Sequence, residues 1–318
     1  MNHISYNKID SNSNNWNKNY KKVKKWAVTE KIHGSNFSFI WEDGVMSYAK
    51  RSGIIKPEEN FFNYSSILES VESKIYQIVN MILKDLSNID KIVIFGELFG
   101  GIYPKSTELT KSKPELFDSN YIPVQKGIYY SPSIHFIAFD IYVGSKLDNI
   151  EYYLDFEDSI KYFVSVELLY TEPIKIFNSY EKAAEFEIGF DTMIPAKLGL
   201  EQMKKCSNKA EGIVIRSMGT NLRFIVKKKI LEFSEFDNDY SKNILNINDK
   251  KTLGLSMITS NRLNNAESKI GLLEEYRYEI YNLMCLDILH ELEITDLDEI
   301  KKLRIFFMEE IKKKFNKS

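Results

Sequence analysis

Lys31 is the residue of this sequence whose type and setting best suit covalent chemistry. It lies in the string TEKIHGSNF, at the end of an apolar, strand-like run and three residues before Gly34. Glycine lets a backbone approach a ligand phosphate closely, so Lys31 could act there as a nucleophile. Free lysine has a pKa of about 10.4, so such a site must favour the neutral amine. Taken alone, KIHG also fits an exposed lysine in a hairpin turn.

Three carboxylates further along the chain could belong to the same site. Glu97, in IFGELFGG, follows an apolar run, and we expect it at a strand end that faces a cavity; a solvated strand end is the alternative. Asp140 interrupts the apolar segment IHFIAFDIYV, where a buried charge must be paired or directed at a ligand. Glu211 opens the strand-like string EGIVIRS.

Two lysines and one aromatic residue complete the candidate set. Lys227 and Lys229 alternate along LRFIVKKK, so both should point to one face of a strand, although a solvated basic edge is equally possible. Phe139 directly precedes Asp140, and core packing would also explain it.

The elements that must position these residues indicate an α+β domain of antiparallel sheets with helices. Residues 64–86 carry apolar residues at spacings of three and four, which predicts a helix, and SYEKAAEFE predicts another. Residues 101–133, rich in Pro, Lys, Ser and Tyr, predict a long surface loop. The alternating or short apolar runs predict strands at WAVTEKI, NFSFIWE, GVMSYAKR, KIVIFGEL, SIHFIAFDIYV, EGIVIRS and LRFIVKKK.

The character of the chain changes after about residue 235. The polar segment FDNDYSKNILNINDK predicts a linker, and the amphipathic runs ESKIGLLEEYRYEIYNLMCLDILHEL and LDEIKKLRIFFMEEIKKKF predict helices. We therefore expect a first domain over residues 1–238 and a small all-α domain over residues 239–318, which suits a chain of 318 residues.

Composition excludes few classes of function. The chain has 43 Lys and Arg against 45 Asp and Glu, a net charge of −2, so any basic surface must be local. Its two cysteines, Cys206 and Cys285, have no metal-ligand spacing. With no apolar N-terminal segment and no long apolar run, we expect a soluble protein of the cytoplasm or another reducing intracellular compartment, with no membrane partner.

In order along the chain, EKIHG, FGE, FDIYV, EGIVIR and KKK resemble motifs I, III, IIIa, IV and V of the covalent nucleotidyltransferases, which include DNA ligases, RNA ligases and mRNA capping enzymes. The finer resemblance is to the RNA ligase 2 family. It rests on EKIHGSNFS, YAKRSGIIKPEENFF, FIAFDI, FSE and SNRLNNAESKIG, and it spans roughly residues 25 to 275. It implies a nucleotidyltransferase (ATP-grasp-like ligase) domain followed by a helical domain that binds RNA ends.

The resemblance implies roles for matching positions. Lys31 would become adenylylated by ATP, His33 would serve the later steps, and Phe139 would stack on adenine. Glu97 and Glu211 would hold Mg²⁺ or Mn²⁺. Arg216 departs from the family, where lysine is frequent. The nucleotide-binding set would comprise Glu30, Ile32, Asn36, Arg51, Glu97, Phe139, Glu211, Lys227 and Lys229.

The implied activity is ATP-dependent joining of RNA 3′-hydroxyl and 5′-phosphate ends, through lysyl-AMP and RNA-adenylate, by a monomer acting at nicks in duplex RNA. In the helical domain, Arg262 and Lys269 would contact RNA phosphates. A DNA ligase would carry Asp in place of His33 and a β-rich second domain. A capping enzyme is disfavoured by the same helical domain, and a catalytically inactive RNA-binding relative by the full set of catalytic side chains.

Overall fold

The computed structural model describes residues 3–105, 121–230, 233, 247–271, 274–292, 294 and 296–316. The chain divides into two compact units, Met1–Ile230 and Leu231–Ser318. No helix in the described part of the chain is long and apolar enough to cross a membrane.

The first unit is built on two antiparallel sheets. One sheet has the strand order β10-β9-β1-β8 and the other β4-β3-β2-β5-β6-β7. The strands are β1 (Lys25–Lys31), β2 (Ser35–Glu42), β3 (Val45–Lys50), β4 (Gly53–Ile54), β5 (Lys91–Ile102), β6 (Ser131–Ser145), β7 (Ile150–Tyr153), β8 (Pro173–Phe177), β9 (Gly212–Met218) and β10 (Ile225–Lys229). Together with the helices, they confirm the predicted α+β class.

Helices cover one face of each sheet. They are α1 (Ser65–Asp85), α2 (Phe156–Ser165), α3 (Tyr180–Ala184) and α4 (Ile194–Lys197). The apolar face of α1, including Ile75, Ile78 and Ile82, packs on Phe37 and Phe136 of the six-stranded sheet. Because side chains alternate along a strand, the residues between these core positions point to the opposite face of each sheet.

The four-stranded sheet follows the same rule. Trp26 and Val28 of β1 pack with Ile213 and Ile215 of β9 on one face, against Ala183 of α3. The odd-numbered residues of β1, which end with Lys31, therefore lie on the other face.

Two details of the six-stranded sheet differ from the sequence-based expectations. Glu97 does not end a strand, because β5 continues through two glycines to Ile102 and stays paired with β6. In β6, Phe95 pairs with Asp140 and Gly96 with Ala138, so Phe139 is the extra residue of a β-bulge. The predicted 101–133 loop is shorter at both ends, since β5 and β6 extend into it, and residues 106–120 lie outside the described residues.

The second unit contains the helices α5 (Ile247–Ser256), α6 (Ser260–Ile270), α7 (Arg277–Glu291) and α8 (Leu297–Phe315). The predicted long helical run is broken, because α6 ends at Gly271, which has a φ of 117°. The predicted linker also becomes helical from Ile247 onward, while residues 236–246 lie outside the described residues. Met284, Ile288, Leu303 and Phe307 lie at the centre of this unit's core.

Two side chains that we expected to contact RNA phosphates form ion pairs within this unit. Arg262 is 1% exposed, and its guanidinium pairs with Glu291 at 2.6 Å and donates to the carbonyl of Met257 at 3.1 Å. Lys269 pairs with Asp287 at 2.9 Å. The expectation for Arg262 is wrong in this conformation, because a buried charge takes an internal partner.

Candidate active site

Three strands place Lys31 and Lys229 on one face with a glycine between them. In the sheet register, Lys31 at the end of β1 lies opposite Gly212 of β9, and Gly212 lies opposite Lys229 of β10. A side chain could not occupy the middle position, because a Cβ atom on Gly212 would lie 1.9 Å from the carbonyl oxygen of Lys228. The gap between the two lysines is open to the side chain of Glu211.

Glu211 joins both lysines. Its Oε2 lies 2.7 Å from Nζ of Lys31, and its Oε1 lies 3.0 Å from Nζ of Lys229. Nδ1 of His33 lies 3.5 Å from Oε2. The Glu211 side chain is only 2% exposed, and burial disfavours its charge, but the two ammonium groups hold its pKa well below the usual range. The result is an ionised carboxylate shared between two cations.

The six-stranded sheet supplies the opposite wall. Asn36 of β2 lies directly opposite Glu97 of β5, on the sheet face away from α1, and its side-chain amide approaches the carbonyl of Gly96 at 3.5 Å. The backbone N–H of Gly34 donates to the Glu97 carboxylate, and Arg51, next to the end of β3, interacts with it electrostatically. Glu97 therefore connects this wall to the turn after Lys31.

Burial raises the pKa of Glu97 to about 7. The nearby ammonium of Lys31 and guanidinium of Arg51 lower this pKa, whereas the Glu211 carboxylate raises it further. Two carboxylates that repel each other fit a divalent cation bound jointly by protein and phosphate oxygens, since Mg²⁺ usually takes one or two carboxylates and completes its shell with water and phosphate. Within the described residues, no group of three or more His, Cys, Asp or Glu side chains is arranged to hold a metal ion by itself.

Replacing Glu97 with Gln should stabilise the ligand-free protein at about pH 8. The carboxyl has an ordinary pKa of 4.5 and a folded-state pKa of about 7, so the native state binds more protons between these values and stability falls as pH rises through that window. Gln cannot ionise, so we expect a gain of roughly 2 kcal/mol above pH 7 and none below pH 4. Urea unfolding at several pH values measures it. Glu58→Gln, at an exposed carboxylate, is the control; equal pH profiles for Glu97→Gln and the unaltered protein would contradict the expectation.

Phe139 and Asp140 lie where the two sheets meet. Arg216 of β9 donates to Oδ1 of Asp140 at 2.5 Å and to the carbonyl oxygen of Phe139 at 2.9 Å, so it crosses from one sheet to the other. Arg223 and the hydroxyl of Tyr6 donate to Oδ2 of Asp140 at 3.0 and 2.5 Å. Burial alone would raise the pKa of Asp140, but the two guanidinium groups lower it. Arg216 thus has a structural partner that the sequence did not identify.

Three further residues that we predicted to bind the nucleotide lie around the ion pair of Lys31, Glu211 and Lys229. The Glu30 carboxylate faces away from Lys31 and accepts hydrogen bonds from the Thr192 hydroxyl and from the backbone N–H of Met193 at 3.0 Å, and burial raises its pKa to about 7. Ile32 is 5% exposed, and its carbonyl is 3.4 Å from Nζ of Lys31. Lys227 occupies the same face of β10 as Lys229.

The N-terminal segment is a part of this region that sequence reasoning missed. His3 bonds to the carbonyl of Lys50 at 3.1 Å, and the ring of Tyr6 packs edge-on against Phe139 with centroids 4.8 Å apart. The backbone carbonyl of Asp10 then accepts a hydrogen bond from the backbone N–H of Lys227 at 2.9 Å. The buried charge of Asp140 was the available signal, since it required a partner.

Known RNA ligases resemble this chain in sequence. The family model described as RNA ligase matches residues 24–229. Mitochondrial RNA-editing ligase 2 of Trypanosoma brucei brucei is 32% identical over 233 residues, which cover 67% of this chain and 55% of that protein. Mitochondrial RNA-editing ligase 1 of the same organism is 32% identical over 239 residues, 67% of this chain and 50% of that protein. This chain thus spans about half the length of the curated relatives it matches.

Among solved structures, Naegleria gruberi RNA ligase with PPi aligns with a TM-score of 0.46 and 13% identity, over 71% of this chain and 56% of that one. The family match covers every strand from β1 to β10 and includes Lys31, Glu97, Glu211 and Lys229. This chain belongs to the RNA ligase family.

Proposed function

We propose that the protein is an ATP-dependent RNA ligase that joins RNA 3′-hydroxyl and 5′-phosphate ends through an AMP bound covalently to Lys31. The observation that carries the proposal is the shared ion pair of Lys31, Glu211 and Lys229 in a member of the RNA ligase family. The amine that we propose as the nucleophile thus lies beside an ionised carboxylate that also contacts a second cation.

In the first step, Nζ of Lys31 attacks the α-phosphorus of ATP. An N–P bond forms, the bond between the α-phosphorus and the bridging oxygen breaks, and pyrophosphate leaves. The amine must first lose its proton to water, and Nζ of Lys31 starts from an ion pair with Oε2 of Glu211 at 2.7 Å. ATP binding therefore has to loosen this pair, and Lys229 and Lys227 would stabilise the negative charge on the leaving phosphates.

In the second step, an oxygen of the RNA 5′-phosphate attacks the same phosphorus. The N–P bond breaks, Lys31 regains a proton, and RNA-adenylate forms. In the third step, the neighbouring 3′-hydroxyl gives its proton to water and its oxygen attacks the RNA 5′-phosphorus, AMP leaves and the phosphodiester is complete. Phe139 would hold the adenine, while Asn36 and Arg51 would orient the nucleotide from the opposite sheet.

Glu97 and Glu211 would hold a divalent cation, Mg²⁺ or Mn²⁺, that neutralises phosphate charge and weakens the hold of Glu211 on Lys31. The site suits such an ion because burial and the Glu211 carboxylate raise the pKa of Glu97, and a nearby cation would reverse this effect.

The substrate we propose is a nick in duplex RNA. A protein can distinguish RNA from DNA at such an end by the local A-form geometry and the 2′-hydroxyl.

The experiment is incubation of the whole chain with α-labelled ATP, Mg²⁺ and a 5′-phosphorylated nick. Label should appear on the protein and then on the RNA, GTP should not replace ATP, and a nick with RNA on the 3′-hydroxyl side should be sealed faster than an all-DNA nick. Absence of protein label would reject the proposal, and equal sealing of both nicks would reject the substrate.

The helical domain is proposed to recognise RNA ends. All residues assigned to the nucleotide lie between Glu30 and Lys229, inside the unit Met1–Ile230. A chain ending at residue 238 should therefore still take label from ATP but should not seal a nick. Labelling and sealing assays on the two lengths measure this. Sealing by the shorter chain at the full rate would remove the role of the helical domain, and loss of labelling in a folded short chain would move the domain boundary.

A further inference from the structure

Tyr130 is a buried residue beside the candidate site that neither the sequence motifs nor the mechanism uses. It directly precedes β6, is 2% exposed, and packs edge-on against Phe99 of β5 with ring centroids 5.3 Å apart. Its hydroxyl oxygen accepts a hydrogen bond from the backbone N–H of His33 at 2.9 Å. A tyrosine 97 positions away in sequence thus holds the second residue after Lys31.

The turn after Lys31 is held from several sides. Besides the bond from His33 to Tyr130, the carbonyl of Gly34 accepts from the side-chain amide of Gln125 at 3.4 Å, and the N–H of Gly34 donates to the Glu97 carboxylate. A Cβ atom on Gly34 would lie 2.1 Å from the carbonyl oxygen of Leu98, so the turn is pressed against β5. Its position depends on these contacts.

Lys31 and His33 differ in what fixes them. Lys31 belongs to β1 and is in register with Gly212 of β9, so strand pairing holds its backbone. His33 lies beyond the end of the strand, where the hydrogen bond to Tyr130 fixes its backbone. The orientation of its ring, with Nδ1 3.5 Å from Oε2 of Glu211, therefore depends on Tyr130 more than the position of Lys31 does.

The Tyr130 phenol is unsuited to proton transfer. Burial, together with the neighbouring carboxylates of Glu30, Glu211 and Glu97, raises its pKa well above the usual value, against the effect of the His33 N–H. The phenol therefore stays neutral, and its oxygen serves the turn as a hydrogen-bond acceptor.

We propose that Tyr130 is a positioning residue that sets the orientation of His33 toward Glu211 and thereby supports the steps of ligation that follow adenylylation of Lys31. This role rests on the proposed function, together with the part in the later steps that the sequence resemblance implies for His33. It also makes a structural claim, the dependence of the His33 ring on the Tyr130 hydroxyl, that can be tested without any activity.

The first test compares Tyr130→Phe with Tyr129→Phe. Phe keeps the ring that packs on Phe99 but loses the acceptor, whereas Tyr129 packs beside Tyr103 and Leu200, away from the turn. In Tyr130→Phe, the rate of sealing a pre-adenylylated nick should fall about tenfold more than the rate of labelling by ATP. This is the effect expected from the loss of one hydrogen bond that orients a reacting group. Tyr129→Phe should match the unaltered protein. An equal fall in both steps would reduce Tyr130 to a packing residue, and an unaltered rate of sealing would overturn the proposal.

The second test asks whether Tyr130 acts through His33. In a His33→Ala background, Tyr130→Phe should lower sealing no further, because the ring that it positions is gone. Independent, multiplicative losses would show that Tyr130 acts elsewhere.

The third test is independent of catalysis. The NMR signal of the His33 ring, identified by its loss in His33→Ala, should move in Tyr130→Phe and stay in place in Tyr129→Phe. An unmoved signal overturns the positioning role. If the unaltered protein takes no label from ATP, the proposed function fails, whereas this spectrum still decides whether Tyr130 orients His33.

Discussion

Replacing Lys31 with Ala should abolish labelling of the protein by ATP. The proposed mechanism forms an N–P bond at Nζ of this residue, which lies at the end of β1 with Oε2 of Glu211 at 2.7 Å. A denaturing gel after incubation with α-labelled ATP and Mg²⁺ gives the result directly, because a covalent adenylate survives denaturation.

Lys31→Arg separates the nucleophile from its charge. A guanidinium can keep the ion pair with Glu211 but stays protonated and cannot form the adenylate, so we expect normal stability and no label. Lys25→Ala is the matched control, since Lys25 lies at the other end of β1, is 52% exposed and pairs with Glu157 at 2.9 Å. Lys25→Ala should label at the normal rate. Persistent label on the Lys31→Ala variant would place the covalent site at another residue.

Replacing Glu211 with Gln should slow the labelling step by about a hundredfold or more, the scale of one lost electrostatic contact at a reacting centre. Gln keeps the size of the side chain but removes the charge that balances Lys31 and Lys229 at 2.7 and 3.0 Å. Two ammonium groups would then share a buried site without their carboxylate, and the proposed metal would lose a ligand.

Labelling rates measured across a Mg²⁺ titration distinguish these two contributions. A lost metal ligand should raise the Mg²⁺ concentration needed for half-maximal rate, whereas loss of the carboxylate that positions Lys31 and Lys229 should lower the rate at every concentration. Glu157→Gln, which breaks the exposed pair with Lys25, is the control and should leave the rate unchanged. An unaltered rate of Glu211→Gln at saturating Mg²⁺ would remove the metal role from this residue.

Much of the fold could be predicted because it depends on local periodicity. The helix predicted over residues 64–86 is α1 (Ser65–Asp85), and the last predicted helix coincides with α8 (Leu297–Phe315). Alternating apolar residues likewise located β1, β2 and β3 within about two residues. The bulge at Phe139 could not be predicted, because it follows from the register between β5 and β6.

Candidate residues of the site were found where several motifs occur in order, and missed where a single residue makes a distant contact. Lys31 and Glu211 belong to such motifs, and the structure places them in contact across 180 positions of sequence. Tyr6 and Tyr130 stand in segments without a pattern, the first in a polar N-terminus and the second in a segment that we expected to be a surface loop. Their partners, Asp140 and His33, are 134 and 97 positions away.

The sequence by itself determined which residue types could carry the chemistry and which family they belong to. Only the tertiary structure decided the charge and the partners of those residues. Glu211 stays ionised between two lysines, and the pKa of Glu97 is raised to about 7. Arg262 forms an internal ion pair with Glu291. The physical reason is that a motif specifies only the types of residues that are close together in sequence. Desolvation and the choice of ionic partner depend on chains brought together from distant parts of the sequence, and these set the protonation state and the orientation on which catalysis depends.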